Sequence, residues 1–250
     1  MQHQTIKGLV IRETDFGDAD RYITVLTESG ARIEVLCKGV RRRNSRMAAA
    51  VRLFCWSELT LYQGRGKYTL TDAALLHSFW GVTADMETYA LCCYFTELTT
   101  AMTDENEETP QVTRLFLYAL RAVADQKRDQ KLVKAAFELR LMAESGFLPD
   151  LSVCGACQNP IEGTVYFSVR EGVALDEACL RRLGGGDFVA LPQGTYAAMA
   201  HILTCDVPRV FAFALGGASL DRLAKVCEDY ALYYAERGFS SLEFYHSLFA

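Results

Sequence analysis

The feature that most constrains the fold is a change in hydrophobic period near Gly81. Before this point the chain consists of short runs rich in β-branched and aromatic residues, separated by turn residues such as Gly17 and Gly30. These runs are the predicted strands Ile6–Arg12, Tyr22–Thr27, Ala31–Lys38, Leu53–Tyr62 and Tyr68–Asp72. Five short strands joined by tight turns are typical of a small antiparallel barrel. The sequence therefore predicts a barrel over residues 1–80.

After Gly81 the apolar residues recur every three or four positions, which is the period of a helix with one buried face. The predicted helices are Thr83–Met102, Pro110–Asp125, Gln130–Ser145, Thr195–Leu203 and Ser219–Glu236. Pro110 suits a first helical turn. Ser219 is the predicted N-cap of the last helix, because serine hydroxyls accept hydrogen bonds from backbone amides there. Residues 81–250 are thus predicted to form a helical domain.

An insert over about residues 151–186 interrupts these helices. It contains three cysteines and two short β-like pieces, Thr164–Val169 and Val173–Leu175, and it ends at the glycine run Gly184–Gly186. The predicted fold class is therefore α+β: an N-terminal β-barrel followed by an all-helical domain that carries a small insert.

Charge is divided unequally between the two predicted domains. Residues 1–80 carry 12 Lys and Arg against 8 Asp and Glu, a net +4, whereas residues 81–250 carry 14 against 23, a net −9. The overall net charge of −5 gives no bulk attraction to nucleic acid, so binding to nucleic acid requires a local basic patch. The sequence has no apolar stretch long enough for a membrane span and no visible signal peptide, which favours the cytosol.

The densest positive stretch is the sequence KGVRRRNSR at residues 38–46, which we call the basic loop. It lies between the third and fourth predicted strands, so we expect it at one rim of the barrel. Its cations are Lys38, Arg41, Arg42, Arg43 and Arg46, and we expect Arg65 and Lys67 to add to the same side. Such a cluster is a natural contact for DNA phosphates, because each neutralised phosphate releases counterions. The alternative is a solvated loop without a function.

Aromatic residues are interleaved with the predicted strands. They include Phe16, Tyr22, Phe54, Trp56, Tyr62 and Tyr68. Rings that face outward are candidates for stacking on the bases of a single strand. Since most aromatic residues of a small barrel belong to its core, the core is the favoured position for each of them.

The insert has the ligand spacing of a zinc ribbon. A Cys-x-x-Cys pair, Cys154 and Cys157, is followed after 18 intervening residues by Asp176 and Cys179 at the same internal spacing. Zinc accepts carboxylate oxygen, and three thiolates with one carboxylate carry the same formal charge as four thiolates. A structural zinc site on these four residues is the favoured interpretation. Two alternatives remain open: a vestigial site that folds by packing alone, and a redox-active cysteine pair, which is less favoured because no strand–helix–strand context surrounds it.

Motifs for catalysis are missing from the sequence. The histidines His3, His77, His201 and His246 lie far apart, without a nearby nucleophile or acid–base partner. The glycine run at 184–186 is not followed by the Lys-Ser/Thr of a phosphate-binding loop. We therefore predict that the protein is not an enzyme.

Four segments together resemble the RecO family of bacterial DNA repair and recombination mediators. The first is Gly8–Gly30, with the sequence FGDADRYITVLT at its centre, and the second is the basic loop. The others are YFSVREGVAL at Tyr166–Leu175 and RGFSSLEFY at Arg237–Tyr245. The resemblance spans essentially the whole chain, and its N-terminal motif is the most specific part.

This resemblance implies an N-terminal OB-fold, a helical C-terminal domain and a zinc-finger-like insert, often with four cysteines. It also implies binding of single- and double-stranded DNA, annealing of complementary strands, and cooperation with RecR and single-strand-binding protein in loading RecA on gapped DNA. The implied location is the cytoplasm, in association with the nucleoid. Asp176 departs from the four-cysteine pattern.

The sequence is also compatible with a second class of function. The net charge of −9 over residues 81–250 suits a surface for protein partners. The alternative is therefore a protein-interaction adaptor that acts mainly through the helical domain, with the barrel as a docking element.

Overall fold

The computed structural model describes residues 2–64, 66–105, 108–125 and 128–249. The strands are β1 (Gln2–Phe16), β2 (Asp20–Thr27), β3 (Arg32–Cys37), β4 (Cys55–Gly64), β5 (Lys67–Ser78), β6 (Val165–Ser168), β7 (Val173–Asp176) and β8 (Val189–Leu191). The helices are α1 (Trp80–Ala84), α2 (Met86–Met102), α3 (Pro110–Ala124), α4 (Gln130–Glu144), α5 (Glu177–Arg182), α6 (Gln193–Thr204), α7 (Gly217–Ala235) and α8 (Ser240–Ser247). A 3₁₀ turn, Val207–Arg209, follows α6.

The first five strands form a closed barrel in the order β1-β2-β3-β5-β4. The long strand β1 pairs with β4 through its first half and with β2 through its second half, and a bulge between Val10 and Arg12 bends it between the two partners. The pairing of β3 with β5 is parallel, and the other four pairings are antiparallel. This is the five-stranded barrel of an OB-fold. The predicted fold class is confirmed.

Side chains that point alternately inward and outward along the strands fill the interior of the barrel. In β4, every second residue from Cys55 to Leu61 is buried, as expected when one face of a strand lies on the core. Val25 of β2 and Val35 of β3 are fully buried and pack in the same cluster as Leu59 and Leu61. The bulky β-branched and leucine side chains therefore explain why this part of the chain forms a barrel.

The helical domain is organised around α4, which is buried on nearly all sides. Phe137 of α4 stacks on Phe95 of α2 with ring centroids 4.1 Å apart, and Phe116 of α3 meets Phe137 edge-on at 5.7 Å. All three rings have no exposed surface. Pairs of aromatic rings add to the burial of apolar area, so these contacts fix the crossing of the three helices.

Two predictions about helix ends are wrong. The predicted helix Thr83–Met102 is two helices, because Asp85 adopts an extended conformation and caps α2 through a 2.8 Å hydrogen bond from the Thr88 amide to its Oδ2. The predicted N-cap Ser219 lies inside α7, which begins two residues earlier, after Gly216. Its carbonyl accepts a 2.8 Å hydrogen bond from the Thr195 hydroxyl of α6, a tertiary contact that local sequence does not reveal.

The barrel packs directly on the helical domain. Leu9, Leu26 and Phe54 belong to the same hydrophobic cluster as the helices α2 and α3. The Thr113 hydroxyl of α3 donates a 2.8 Å hydrogen bond to the carbonyl of Thr27. The apolar cluster and this polar contact therefore join the two parts of the chain. No helix in the described ranges combines the length and the apolarity needed to cross a membrane.

Candidate nucleic-acid interface and metal centre

The basic loop begins directly after β3 and is anchored to the barrel by apolar side chains. Val40 within the loop is 2% exposed, and Val51, just beyond it, is fully buried; both pack in the barrel core. Since the side chains of Val40 and Val51 are buried in the barrel, the polar side chains between them lie at the surface. Arg42, Arg43 and Arg46 are exposed for this reason.

The backbone of the basic loop is tied to the β1–β2 turn. The Gly39 amide donates a 2.7 Å hydrogen bond to Oδ1 of Asp20, and the Arg41 amide donates a 2.9 Å bond to the carbonyl of Ala19. Gly39 has a φ of +63°, a conformation that favours glycine. These contacts hold the loop in one place, so its charges form a fixed surface rather than a random tail.

One cation of the basic loop is paired with a carboxylate. Arg41 Nε lies 3.2 Å from Oδ2 of Asp15, and its NH1 donates a 3.2 Å hydrogen bond to the carbonyl of Gly17. Asp15 also accepts from Arg21 at 2.9 Å. Among the described residues, none forms an ion pair with Lys38, Arg42, Arg43 or Arg46. Four of the five cations are therefore available to an anionic ligand.

The loop borders a surface cavity of about 580 Å³, whose far wall is Thr71 and Asp72 in the middle of β5. The predicted contributor Lys67 is exposed at the start of β5, in the β4–β5 hairpin, and does not line this cavity. Arg65 lies outside the described residues. The structure thus brings Lys38, Arg42 and Arg46 together at the cavity.

The interleaved aromatic residues divide between core and surface. Phe54 is 1% exposed and packs in the core, whereas Phe16 at the end of β1 is 53% exposed and meets Tyr22 edge-on at 5.2 Å. Tyr62, Tyr68 and Trp56 are half-buried. The prediction that each of these rings lies in the core is therefore wrong for Phe16, which lies beside the basic loop at the β1–β2 turn.

The insert forms a small three-stranded sheet in the order β7-β6-β8. The short helix α5 directly follows β7 in the chain. Cys154 and Cys157 lie on a tight turn whose Gly155 amide donates a 2.8 Å hydrogen bond to the carbonyl of Ala174 in β7. A Cβ at Gly155 would lie 3.3 Å from Val173 Cβ, so glycine permits this close approach. The turn therefore faces the end of β7, where Asp176 lies.

The four predicted ligands converge. The Sγ atoms of Cys154, Cys157 and Cys179 and a carboxylate oxygen of Asp176 all lie within 4.8 Å of one another. Asp176 is also the N-cap of α5: its Oδ1 accepts a 2.7 Å hydrogen bond from the Cys179 amide, while its Oδ2 faces Cys157 Sγ at 3.4 Å. One oxygen thus positions the helix and the other faces the thiols.

The surroundings of the cluster shift the pKa values of Asp176 and Cys179 in opposite directions. The backbone amide of Cys179 lowers the pKa of Asp176 to about 2, so this carboxylate is ionised at neutral pH. Burial raises the pKa of Cys179 to about 12. Arg182 NH2 donates to Cys179 Sγ at 2.8 Å, which favours the thiolate. A bound cation would stabilise the thiolates further, because metal binding releases protons from its ligands.

The donor set fits tetrahedral zinc. With Zn–S distances of about 2.3 Å, the sulfurs of a tetrahedral site lie roughly 3.8 Å apart, so donors within 4.8 Å need only a small contraction. Three sulfurs and one carboxylate oxygen are all accepted ligands of zinc. In the part of the chain that the structure describes, this is the only cluster of its kind.

One buried ionic group in the helical domain was not predicted from the sequence. Lys134 Nζ lies 2.7 Å from Oε1 of Glu138 and 2.6 Å from Oε2 of Glu228, and Tyr94 donates a 2.8 Å hydrogen bond to Glu138 Oε1. Burial raises the pKa of Glu138 to about 7. The i,i+4 spacing of Lys134 and Glu138 was visible in the sequence, but such pairs are usually solvent-exposed.

Two family models match almost the entire chain. The model described as Recombination protein O N terminal matches residues 1–79, and the model described as Recombination protein O C terminal matches residues 83–243. DNA repair protein RecO of Acetivibrio thermocellus is 28% identical over 248 residues, which are 99% of this chain and 98% of the relative. DNA repair protein RecO of Symbiobacterium thermophilum is 30% identical over 246 residues, 97% of this chain and 96% of the relative.

These matches place the protein in the class of DNA repair and recombination proteins, in agreement with an OB-fold barrel that exposes a basic loop. Within that class, the chain belongs to the RecO family. The resemblance that rested on four sequence segments is thereby confirmed.

Proposed function

We propose that the protein is a DNA-binding mediator of recombinational repair that anneals complementary strands. In this role it binds single- and double-stranded DNA in the cytoplasm, in association with the nucleoid. It acts with RecR and single-strand-binding protein and helps to load RecA. The observation that carries the proposal is the set of exposed cations at Lys38, Arg42, Arg43 and Arg46, held in place on an OB-fold barrel.

The physical mechanism is charge neutralisation. Two DNA strands repel each other through their phosphates, and guanidinium groups that neutralise some of these phosphates reduce the repulsion. Contacts to phosphate carry no sequence information, so the base edges stay free to pair with a complementary strand. A rigid loop with several unpaired cations and few base contacts meets both needs.

In the insert, we propose that Cys154, Cys157, Asp176 and Cys179 hold a structural zinc ion. The ion would link the turn at Cys154–Cys157 to the end of β7 and the start of α5, and so stabilise a segment with a small core. The closed set of four protein ligands leaves no position for a substrate, so this role is structural rather than catalytic.

The test of DNA binding is the variant with Arg41, Arg42 and Arg43 changed to Ala, compared with the parent by fluorescence anisotropy on two unrelated labelled single strands. We expect weaker binding to both sequences by similar factors. The slope of log affinity against log salt should fall by about 0.7 for each lost phosphate contact.

The control variant changes Arg170, Arg209 and Arg222 to Ala, which removes three exposed cations from the helical half of the chain. It has the same net charge as the loop variant, so a general charge effect would weaken both equally. Equal binding by the loop variant and the parent across the salt titration would show that Arg42 and Arg43, two of the four unpaired cations, do not contact DNA, and would contradict the proposal.

A second candidate function is a protein-interaction adaptor that acts through the helical domain. The observation that favours it is the exposure of large apolar side chains there, with Leu148 64% and Phe249 58% exposed. The test measures two properties of the purified protein: DNA binding at low salt, and capture of purified RecR and single-strand-binding protein at high salt. Capture of these partners without DNA binding would favour the adaptor function over the DNA-binding function.

A further inference from the structure

A cleft at the junction of the barrel and the helical domain combines exposed aromatic rings with unpaired cations. Its volume is about 810 Å³, and it lies between the start of β4, the end of β5, and the helices α1 and α3. Gly81 at the base of the cleft lets α1 approach α3 closely, because a Cβ there would lie 2.6 Å from the carbonyl oxygen of Ala124. The cleft is therefore built into the domain junction.

Aromatic side chains from both parts of the chain line the cleft. Trp56 and His77 come from the barrel, Trp80 from α1 and Tyr118 from α3. Trp80 is 68% exposed, the largest exposed fraction among the large apolar side chains of the described residues. An indole left this open to water on a folded chain is a feature of binding sites, because indole is apolar over most of its surface.

Two arginines of the lining come from α3, the helix that also carries Tyr118. Arg114 and Arg121 of α3 both line the cleft and are seven residues apart, which is two helical turns or about 10 Å. Within the described ranges, neither side chain forms an ion pair or a hydrogen bond. The lining also contains one carboxylate, that of Asp125, so the two arginines leave it with a net charge of +1. The lining thus presents π-faces and guanidinium groups, which match the bases and the phosphates of a nucleic acid.

We propose that this cleft is a second binding site for single-stranded DNA, in which bases stack on Trp80 and its aromatic neighbours while Arg114 and Arg121 contact phosphates. The proposal rests on the proposed function, because it concerns the same ligand. It adds a place where the bases are bound, whereas the basic loop contacts the backbone alone.

The strand β5 connects the cleft to the basic loop. Asp72 lines the cavity at the loop and His77 lines the junction cleft, and the five residue-to-residue steps of strand between them span about 17 Å. The residues between them, 73–76, carry no charge, and Leu75 and Leu76 are more than 40% exposed. Along β5 itself no carboxylate lies between the two cavities; Glu58 of the neighbouring strand β4, which pairs with Ala74, is the carboxylate that an extended single strand would pass.

The experiment uses the intrinsic fluorescence of the full chain, whose two tryptophans, Trp56 and Trp80, both line the cleft. Titration with unlabelled oligothymidine should quench this fluorescence, because stacked bases contact the indoles. The variant Trp80→Phe should lose much of the quenching while binding the strand nearly as well as the parent. The variant Trp80→Ala should bind a labelled oligothymidine about tenfold more weakly in anisotropy, the cost of one lost base stack.

The control is Phe244→Ala, which removes an exposed aromatic ring from α8, outside the cleft, and should leave the affinity for the strand unchanged. Circular dichroism of each variant confirms that it folds. In the contrary outcome, the parent binds DNA in anisotropy while its tryptophan fluorescence stays unchanged and Trp80→Ala binds with normal affinity. This result would overturn the proposal that the cleft binds DNA, but not the proposal that the protein binds DNA. Absence of any binding by the parent would overturn the proposed function and the cleft together.

Discussion

Arg41 Nε lies 3.2 Å from Asp15 Oδ2, so one of the five cations of the basic loop is already balanced by a carboxylate at the surface. An exposed ion pair of this kind contributes little to stability. It does reduce the positive field at the point where the loop meets the β1–β2 turn. The remaining four cations therefore carry the proposed contact with DNA.

The variant Asp15→Asn should strengthen DNA binding, because it releases Arg41 for a phosphate while Arg21 keeps its 2.7 Å pair with Glu13. One additional phosphate contact raises the salt slope for a single strand by about 0.7. Anisotropy across a salt titration measures this change. In the variant Asp15→Asn with Arg41→Ala the gain should vanish, and a gain that persisted there would show that Arg41 is not its source.

Zinc binding can be separated from helix capping at Asp176. The variant Asp176→Asn keeps an oxygen that accepts from the Cys179 amide, so α5 stays capped, but it loses the anionic ligand. We expect a reduced zinc content for Asp176→Asn, near-complete loss for Cys157→Ser, and full occupancy for Asp176→Cys, which restores four thiolates. Elemental analysis of the purified proteins measures this series. A parent with less than about a tenth of an equivalent of zinc, after expression with added zinc, would contradict the site.

The buried Glu138 should give stability a defined pH dependence. Burial raises its pKa from 4.5 to about 7, so the folded state keeps a proton that the unfolded chain releases over this range. The contribution of Glu138 to the free energy of unfolding is therefore largest below pH 4.5 and falls as pH rises through 7, by at most about 1.4 kcal/mol per pH unit.

The variant Glu138→Gln removes this titration and retains the hydrogen-bonding shape. Denaturant unfolding of both proteins from pH 4.5 to 8 measures the difference. The parent's stability relative to the variant should decline across the window. The neighbouring Glu228 is also partly buried, but the charge of Lys134 outweighs that burial and lowers its pKa. Because Glu228 is present in both proteins, most of its effect cancels. A difference in the free energy of unfolding between parent and variant that stays constant with pH would contradict the raised pKa of Glu138.

Gly30 marks a backbone contact between the barrel and the helical domain. Its φ is +98°, and a Cβ on it would overlap the backbone of Thr109 at the start of α3. The variant Gly30→Ala should lower the free energy of unfolding by more than about 2 kcal/mol, since it adds a clash to a strained conformation. The matched variant Gly17→Ala has a φ of +58° but no atom near the added methyl group, so it should cost only about 1–2 kcal/mol. Equal losses in thermal or chemical unfolding would contradict the proposed domain contact.

The sequence predicts the barrel well because its strands alternate strongly. The turns at Gly17 and Gly30 also lie between predicted strands, as expected for turn residues. The extent of β1 and β5 was underestimated, because their outer residues, such as Gln2 and Ser78, are held by pairing with β4 rather than by local preference. Pairing partners far apart in sequence are not visible in a local pattern.

The convergence of Cys154, Cys157, Asp176 and Cys179 was predictable residue by residue, because ligand spacing is itself a geometric signal. The pairing of Arg41 with Asp15 was not, since the two residues are 26 positions apart and meet only when β2 and β3 form a sheet. The junction cleft also lay beyond reach: Trp56, Trp80 and Tyr118 come from three elements that converge only in the folded chain. Tertiary structure, rather than composition, creates both features.

The central claim is that the exposed cations of the basic loop let two DNA strands approach each other. The most direct measurement is a fluorescence annealing assay with two complementary labelled strands, run with the parent and with the variant that changes Arg41, Arg42 and Arg43 to Ala. The parent should accelerate annealing of any complementary pair at low salt, with less acceleration as salt rises, and the variant should lose most of this effect. Equal acceleration by the variant, or none by the parent, would contradict the account.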